Sequence, residues 1–280
     1  MKKILITGAN SYIGTSFEAY MKQFPEYQID TVDMIDGSWR EKDFSIYDVV
    51  FHVAGLAHAE PKPEMRTKYY QVNTDLAIET AKYAKACGVG QFVFMSSIIA
   101  YGSNNTYIDE STAPQPENFY GDSKLQADKG LQALTSEGFC VASIRPPMIY
   151  GKGSKGNYPR LSKLARRIPV FPKVENQRSM LHIDNLCSFI KKVIEEDLSG
   201  IFYPQNAEYV NTSALVKEIR FVYGKKTWLV PGFSGILRFL AKKNTTFNKL
   251  FGDLVYAKEL SGDFSYCVCN LKESIARTEV

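Results

Sequence analysis

The chain has 280 residues, 45% hydrophobic and 23% charged, a composition typical of a globular protein rather than a disordered or fibrous one. Its 34 basic and 30 acidic side chains are dispersed and leave a net charge of +4, which argues against a nucleic-acid partner. Five widely spaced cysteines without a CxxC pair predict neither disulfides nor a metal site, and reduced thiols indicate a cytoplasmic protein. No stretch approaches the ~20 apolar residues of a membrane span, so we expect neither secretion nor stable membrane insertion.

Short apolar runs predict five strands in the first half of the chain. They are Lys3–Thr7, Tyr27–Asp33, Asp48–Val53, Gln91–Ser96 and Cys140–Ile144. Amphipathic helices alternate with them, and these helices are expected from Ile13 to Phe24, over Val72–Cys87 and over Phe119–Leu134. The alternation predicts an α/β fold, a doubly wound parallel sheet (a Rossmann fold) with helices on both faces.

A glycine turn follows the first strand and leads directly into a helix. Gly8 can form the tight turn, and Gly14 allows the helix to pack closely on the strand. The helix N-terminus offers amide groups and a positive dipole to a pyrophosphate. The alternative is an ordinary turn between a strand and a helix. The predicted dinucleotide contacts in this turn are Gly8, Asn10, Ser11, Tyr12, Ile13 and Gly14.

An acidic residue ends the second strand. Asp33 can accept hydrogen bonds from the adenosine ribose hydroxyls and would repel the 2′-phosphate of NADP, which favours NAD. A surface acid at a strand end is the alternative. Arg40 follows soon after and could meet a 2′-phosphate, so the sequence does not exclude NADP.

The pattern changes after Gly151, where glycine, lysine, serine and proline predict a loop. We therefore expect a dinucleotide-binding domain over 1–151 and a smaller C-terminal substrate-binding lobe formed by 152–179 and 205–280. Residues 180–204 are expected to return to the first domain, with Met180–Asp184 as a strand of the main sheet.

Tyr120 and Lys124 are spaced i, i+4 at the start of a predicted helix and share one of its faces. A phenol with a pKa of ~10 is a poor base, and a neighbouring ammonium favours the phenolate. Ser97 follows the fourth strand at the edge where parallel sheets bind ligands, so its hydroxyl can reach the same substrate oxygen. These three residues predict proton transfer during hydride transfer, with Lys124 also holding the nicotinamide ribose.

Nine segments taken in order resemble the extended short-chain dehydrogenases/reductases, specifically the nucleotide-sugar epimerase/dehydratase group. They are ITGANSYIG, Val32-Asp33, Asp43-Phe44, VFHVAG, VNT, FVFMSSIIAYG, YGDSK, IRPPMIYG and RSMLHIDNL. Two features depart from the family: Ser11 replaces the middle glycine of its glycine turn, and the C-terminal lobe matches less well.

The resemblance implies further contacts, position by position. For the cofactor they are Asp43 and Phe44 at the adenine ring, Ala54 and Gly55 along the phosphates and ribose, and Asn73 and Pro146 at the nicotinamide half. For a UDP-sugar substrate they are Arg178 at the diphosphate, Val170 and Phe171 at the uracil, Asn157, and Ser97 at the sugar. Relatives pair through two helices per subunit, which would make a homodimer here through the helices at 72–87 and 119–134.

The residues after Ser97 disfavour one reaction of this group, 4,6-dehydration, and leave two reactions at the sugar C4 open. The 4,6-dehydratases of the group have an acidic pair after the active-site serine or threonine, whereas Ser97 is followed by Ile98 and Ile99. The segments KGNYPRLSKLARRIPVFP and NQRSMLHIDNL narrowly favour a UDP-4-keto-6-deoxy-hexosamine 4-ketoreductase of surface polysaccharide biosynthesis. The NAD preference predicted from Asp33 favours instead a UDP-hexose or UDP-N-acetylhexosamine 4-epimerase that retains its NAD.

Two further hypotheses come from other classes of protein. One is a dinucleotide sensor without catalysis, against which the Tyr/Lys pair argues. The other is peripheral membrane binding by the apolar and basic stretch 233–251, whose alternative is packing within the small lobe. Among the histidines, His52 is expected in the core, His182 in a structural role and His58 at the sheet edge near the substrate.

Overall fold

The computed structural model describes residues 1–57, 63–102 and 104–280. His58, predicted near the substrate, lies outside these residues. Within the described residues there are twelve strands: β1 (Lys2–Thr7), β2 (Tyr27–Val32), β3 (Val49–His52), β4 (Gln91–Met95), β5 (Tyr107–Ile108), β6 (Cys140–Ile144), β7 (Met148–Tyr150), β8 (Val170–Pro172), β9 (Met180–His182), β10 (Gly200–Phe202), β11 (Trp228–Val230) and β12 (Val255–Tyr256).

Ten α-helices accompany the strands in the described residues. They are α1 (Tyr12–Met21), α2 (Arg66–Tyr70), α3 (Leu76–Ala86), α4 (Phe119–Gln132), α5 (Asn157–Arg167), α6 (Ile183–Glu195), α7 (Thr212–Val222), α8 (Ser234–Lys243), α9 (Thr245–Phe251) and α10 (Leu271–Glu279). None of the helices in this part of the chain is long and apolar enough to cross a membrane.

The chain divides into two compact units. The first comprises Met1–Gly102, Ala113–Pro146 and Leu186–Pro204. Its six strands form one parallel sheet in the order β10-β6-β4-β3-β1-β2, which confirms the predicted doubly wound fold. The strand order reverses between β1 and β3, and a sheet of this kind binds its ligand outside the carboxyl ends of the strands at that point.

The central strands β3, β4 and β6 of this sheet are buried because they are largely apolar. Leu5, Val50, Phe92 and Val141 are fully buried and pack in one core cluster with helix residues such as Ala81. The predicted helix over 72–87 is instead interrupted: a π-helical turn, Gln71–Asp75, joins α2 to α3. Such turns are rare and frequently mark functional sites.

The second unit comprises Ser103–Thr112, Pro147–Asn185 and Gln205–Val280. It contains three two-stranded parallel sheets, β11-β8, β12-β5 and β7-β9. Helices α5 and α7 contribute Leu161, Ala165, Leu215 and Ile219 to its core.

Two of the predicted boundaries are wrong in detail. The run Met180–His182 does not join the main sheet but pairs with β7, and Asp184 already lies in α6. The strand that does return to the main sheet is β10, which pairs with β6. A three-residue apolar run fits either sheet, since its partner is not specified by its own sequence. Residues 103–112 also belong to the second unit, where β5 pairs with β12.

Two buried histidines make the stability of the fold dependent on pH. His52 has no exposed surface in β3, which confirms its predicted place in the core, and burial together with the charge of Lys124 lowers its pKa to about 3. Burial likewise lowers the pKa of His182 to about 4. Unfolded histidine has a pKa of ~6.5, so the unfolded chain binds more protons than the folded one as the pH falls below that value. We expect the free energy of unfolding to fall by about 2 kcal/mol per histidine from pH 7 to pH 5.

Urea unfolding of the wild type and of His52→Gln at several pH values tests this expectation. The variant should lose part of the slope between pH 7 and pH 5 and keep the part due to His182. Equal slopes in the two proteins would contradict a neutral, buried His52.

Candidate active site

The glycine turn lies where the strand order of the sheet reverses. Gly8 has a φ of +95°, and a Cβ atom placed on it would lie 2.8 Å from the backbone nitrogen of Ala54, beyond the end of β3. The amides of Gly8 and Ala9 donate to the carbonyl of Val32 at 2.9 and 3.2 Å. Only glycine fits this approach of two backbones, which fixes the turn at the predicted cofactor edge.

Ser11, which replaces the family glycine, is the N-cap of α1. Its hydroxyl accepts a hydrogen bond from the amide of Gly14 at 3.1 Å, and it therefore satisfies one amide of the first helical turn by itself. A Cβ atom on Gly14 would lie 3.2 Å from methyl groups of Ile6 and Val53, so this glycine allows the predicted close packing of helix and strand. Asn10, with a φ of +64°, completes the left-handed bend at the exposed surface of the turn.

The two side chains that were expected to distinguish NAD from NADP at the adenosine ribose have different surroundings. Asp33 is exposed just beyond β2, where its carboxylate accepts a hydrogen bond from the amide of Ile35 at 2.9 Å. Arg40 instead forms a fork with Glu79, with Nε and Nη2 each donating to a carboxylate oxygen at 2.7 Å. The cavity next to them is lined by residues that include Met34, Gly37, Trp39, Gln71 and Leu76. Arg40 is thus already paired, whereas Asp33 faces solvent.

Of the two residues predicted at the adenine ring, one lies at the surface and the other in the core. Asp43 is exposed and accepts hydrogen bonds from the amide and hydroxyl of Ser45, which lower the pKa of its carboxyl. Phe44 has no exposed surface; its ring centroid lies 4.9 Å from that of Tyr83 and 6.3 Å from that of Trp39. Phe44 therefore supports this loop from beneath.

Asn73 lies in the π-helical turn and holds the chain that follows β3. Its side-chain oxygen accepts from the amide of Leu56 at 2.8 Å, and its amide nitrogen donates to the Leu56 carbonyl and to the Ser123 hydroxyl. A Cβ atom on Gly55 would lie 3.1 Å from that oxygen and 3.2 Å from the ammonium of Lys124. Gly55 thus leaves the space in which Asn73 and Lys124 approach the same loop.

Lys124 projects from α4 to the carboxyl end of β4. Its ammonium donates to the carbonyl of Met95 at 2.8 Å and lies 4.6 Å from the ring centroid of Phe94. Burial lowers its pKa to about 8, and the charge of Asp128 one helical turn later opposes that shift. The ammonium therefore lies at the edge of the sheet where the cofactor is expected.

Tyr120 and Ser97 meet because α4 approaches the turn after β4 very closely. A Cβ atom on Gly121 would lie 2.7 Å from the carbonyl oxygen of Ile99, so glycine at this position is required for the approach. Ser97 caps the 3₁₀ turn Ile98–Tyr101, with its hydroxyl accepting from the amide of Ile99 at 3.3 Å, and it lies close enough to Tyr120 to act on the pKa of that phenol. The amide of Ile98 donates to the carbonyl of Pro146 at 3.0 Å, which connects this turn to the end of β6.

The expected lowering of the Tyr120 pKa by Lys124 is not found in this structure. Burial raises the pKa of Tyr120 to about 12, with a smaller contribution from Tyr69, and the nearby Ser97 hydroxyl opposes that shift. The reason is geometric, since the Lys124 ammonium is directed to the Met95 carbonyl. In this state Tyr120 is a protonated phenol at neutral pH.

A buried ion pair between α4 and the end of β6 was missed by the sequence reasoning. Asp128 and Arg145 are 1% and 3% exposed, and the Arg145 Nε donates to the Asp128 carboxylate at 2.8 Å. Ser96 donates to the same carboxylate and Arg145 also donates to the Tyr101 hydroxyl. The available signal was the i, i+4 spacing of Asp128 from Lys124, together with an arginine at the end of a buried strand.

In the second unit, two of the four residues predicted for the substrate line one cavity. Asn157, at the start of α5, and Arg178 line it together with residues such as Tyr158 and Lys249. The Nη1 atom of Arg178 donates to the carbonyls of Asn248 and Gly252, at 3.3 and 3.0 Å, while its buried Nε has no hydrogen-bond partner among the described residues. An anion is the natural partner for such a nitrogen.

Val170 and Phe171 do not line that cavity. Val170 is half exposed in β8, and Phe171 is 3% exposed in the core of the second unit. Alternating strand residues face opposite sides, so only one of these neighbours can face any single ligand.

The sequence also did not predict a group of three side chains in the second unit that have metal-binding chemistry. His182, Asp184 and Cys269 have ligand atoms within 4.8 Å of one another. The Asp184 carboxylate is already paired with Arg277 at 2.8 Å, and burial raises the pKa of the Cys269 thiol to about 12. His182 therefore lies in a packed and paired cluster, in agreement with its predicted structural role.

Comparison with known proteins identifies the class of protein to which this chain belongs. The NAD dependent epimerase/dehydratase family matches residues 4–203. UDP-glucose 4-epimerase of Vibrio cholerae is 29% identical over 98% of this chain and 90% of that protein. UDP-2-acetamido-2,6-beta-L-arabino-hexul-4-ose reductase of Pseudomonas aeruginosa is 27% identical over 71% of this chain and 51% of that protein. The structure of UDP-glucuronic acid 4-epimerase from Bacillus cereus in complex with NAD is similar with a TM-score of 0.74 and 15% identity, over 99% of this chain and 97% of that one.

The chain belongs to the NAD dependent epimerase/dehydratase family. It is an enzyme of the extended short-chain dehydrogenase/reductase class, and its cofactor is NAD or NADP. This confirms the family that its motifs resemble.

Proposed function

We propose that this enzyme moves a hydride at C4 of a UDP-linked sugar with NAD as its cofactor. The observation that carries the proposal is the meeting of Ser97 and Tyr120 at the carboxyl end of β4, with Lys124 one turn along α4. All three lie in the unit that also forms the glycine turn.

The residues present fit a dinucleotide. A Cβ atom on Gly8 would clash with the backbone of Ala54, and a Cβ atom on Gly55 would crowd the Lys124 ammonium, so both glycines allow the loops after β1 and β3 to take their positions at the expected phosphate and ribose sites. In this proposal the turn at Asn10–Ile13 holds the pyrophosphate, Asp33 holds the adenosine ribose, and Lys124 holds the nicotinamide ribose. When bound, the cofactor supplies a hydride acceptor or donor and, when oxidised, a positive charge.

The protein residues handle the proton that accompanies the hydride. Tyr120 gives a proton to the C4 oxygen when the sugar is reduced and takes one when the sugar is oxidised. In this proposal Ser97 donates to the same sugar oxygen, and its hydroxyl next to the phenol favours the phenolate that oxidation requires, as its effect on the Tyr120 pKa indicates. Ile98 and Ile99 cannot transfer a proton, which disfavours removal of water from the sugar. In the second unit, Arg178 and Asn157 are proposed to hold the substrate, with the unpartnered Nε of Arg178 for the diphosphate.

The pairing of Arg40 favours the 4-epimerase over the ketoreductase, which the sequence alone narrowly favoured. The sequence left NADP open because of Arg40, but this guanidinium is held by both carboxylate oxygens of Glu79. That pairing supports NAD, and a retained NAD suits oxidation and reduction of one sugar within one site. The UDP-glucose 4-epimerase of Vibrio cholerae, similar over 98% of this chain, supports the same preference. The ketoreductase stays the second candidate because of the Pseudomonas aeruginosa reductase.

The choice of nucleotide gives a prediction. We expect the wild type to bind NADH at least about tenfold more tightly than NADPH, because Asp33 repels a 2′-phosphate. Asp33→Ser should remove that preference, and Asp33→Ser/Glu79→Ala should reverse it by releasing Arg40. Fluorescence titration of the three proteins measures this. The single variant Glu79→Ala is the matched control and should still prefer NADH; a wild type that prefers NADPH would contradict the roles of both residues.

The cofactor content of the purified protein distinguishes the two reactions. The protein is prepared without added nucleotide and denatured, and released dinucleotides are identified by mass spectrometry. About one NAD per chain is the result expected of the 4-epimerase. A protein that is empty, and that oxidises NADH only when a UDP-4-keto-6-deoxy sugar is added, would instead be the ketoreductase.

A further inference from the structure

Charge is distributed unequally between the two units. The second unit contains 19 basic and 11 acidic side chains, whereas the first contains 15 basic and 19 acidic ones. Within the second unit no acidic residue occurs between Glu218 and Asp253, a stretch that holds seven lysines and arginines. The net charge of +4 therefore combines an acidic unit with a strongly basic one.

Helix α8 lies in this basic stretch and exposes large apolar side chains. Phe233, Ile236 and Phe239 are 47%, 61% and 57% exposed and are spaced three residues apart, so they follow one side of the helix. Leu237 and Leu240 are less exposed. The ammonium of Lys243 lies 4.5 Å from the ring centroid of Phe239, so a charge flanks the apolar residues. We call Phe233, Ile236, Phe239 and Lys243 the α8 face.

The helix that follows attaches this segment to the body of the second unit. In α9, Leu250 and Phe251 pack against the core cluster, and the Phe251 ring centroid lies 6.1 Å from that of Phe171. Helix α9 thus supplies the apolar residues that pack inward, while the α8 face remains outside.

We propose that the α8 face docks on the surface of a membrane rich in anionic phospholipid. Exposed phenylalanine and isoleucine within a basic segment have the chemistry of an interfacial helix, which places apolar side chains at the acyl boundary and lysines at the headgroups. With 10 residues, α8 is half the length of a spanning helix, so it lies in the plane of the membrane.

Charge selects this occupant over two others. Pairing with the same face of a second copy would bring two basic surfaces together, which like charges oppose. A nucleic acid would satisfy the basic residues but would leave the apolar row in water. Anionic phospholipid satisfies both parts of the face.

Co-sedimentation with vesicles tests the proposal. The full chain is mixed with phosphatidylcholine vesicles containing 30% phosphatidylglycerol, and with pure phosphatidylcholine vesicles, at about 50 and 500 mM salt. We expect binding to the anionic vesicles at low salt and at least tenfold weaker binding to the neutral ones or at high salt. Ile236→Ser/Phe239→Ser should lose at least tenfold in binding, whereas Ile46→Ser/Val268→Ser, which alters two exposed apolar residues elsewhere, should bind as the wild type does.

Three results with vesicles would overturn the proposal. They are absence of wild-type binding to the anionic vesicles, equal binding by the α8 variant, and equal binding to neutral vesicles. A change in oligomeric state of the α8 variant without vesicles would also overturn it, since the face would then join two copies. Cofactor binding and thermal unfolding of both variants confirm that they are folded. Because these readouts do not require turnover, they are independent of the proposed C4 reaction.

Discussion

Replacement of Tyr120 by phenylalanine is expected to lower turnover by about 10³-fold and to change the affinity for NAD by less than about twofold. The variant keeps the ring, whose centroid lies 5.8 Å from that of Tyr69, and removes only the phenolic hydroxyl near Ser97. Without the hydroxyl, no other group that we place at the site among the described residues is proposed to transfer the proton at the sugar oxygen. Steady-state turnover and cofactor titration measure the two parts separately.

Tyr70→Phe is the matched control for this experiment. Its hydroxyl donates to Asp122 on the same helix as Tyr120, and it takes no part in the proposed proton transfer. It should retain nearly full turnover. A Tyr120→Phe enzyme that is as active as the control would refute the proton-transfer role of Tyr120.

Replacement of Asp128 by leucine is expected to lower the free energy of unfolding by about 3–5 kcal/mol. The change leaves the guanidinium of Arg145, which is 3% exposed, without its carboxylate partner in the interior of the first unit. It also removes the negative charge that raises the pKa of Lys124, so we expect the Lys124 pKa to fall further below its present value of about 8.

The double variant Asp128→Leu/Arg145→Met separates the ion pair from the packing around it. Removal of both charges should restore most of the lost stability, because a buried pair is often replaced by apolar side chains at little cost. Chemical denaturation of the four proteins of this cycle gives the coupling energy. If the double variant is as unstable as the sum of the single variants, the two charges do not act as a pair.

The sequence was sufficient for the parts of the fold that depend on local pattern. The five predicted strands of the main sheet are all present, and Cys140–Ile144 has its predicted bounds. The partner of a strand was harder to predict from the sequence, because Met180–His182 has the same apolar character whether it pairs with β7 or with the main sheet. The π-helical turn at Asn73 likewise left no mark in the helical spacing of the residues around it.

For the candidate site, the sequence was most useful where short spacing determines the geometry. The i, i+4 pair Tyr120 and Lys124 and the turn around Gly8 are near-neighbour patterns, and their predicted role stays a proposal with structural support. The pairing of Arg40 with Glu79 joins residues 39 positions apart, which no local pattern predicts. The raised pKa of Tyr120 depends on how deeply the fold buries the phenol, and burial is a property of the whole unit.

The most direct test of C4 hydride transfer is an NMR measurement of UDP-sugars with the purified enzyme and no added cofactor. UDP-glucose and UDP-N-acetylglucosamine are each incubated with the enzyme, and the anomeric proton signals are followed. We expect at least one of them to be converted to its C4 epimer by the wild type and not by Tyr120→Phe. If neither sugar changes, and NADH or NADPH is not oxidised with a UDP-4-keto-6-deoxy sugar either, the proposed reaction at C4 is wrong.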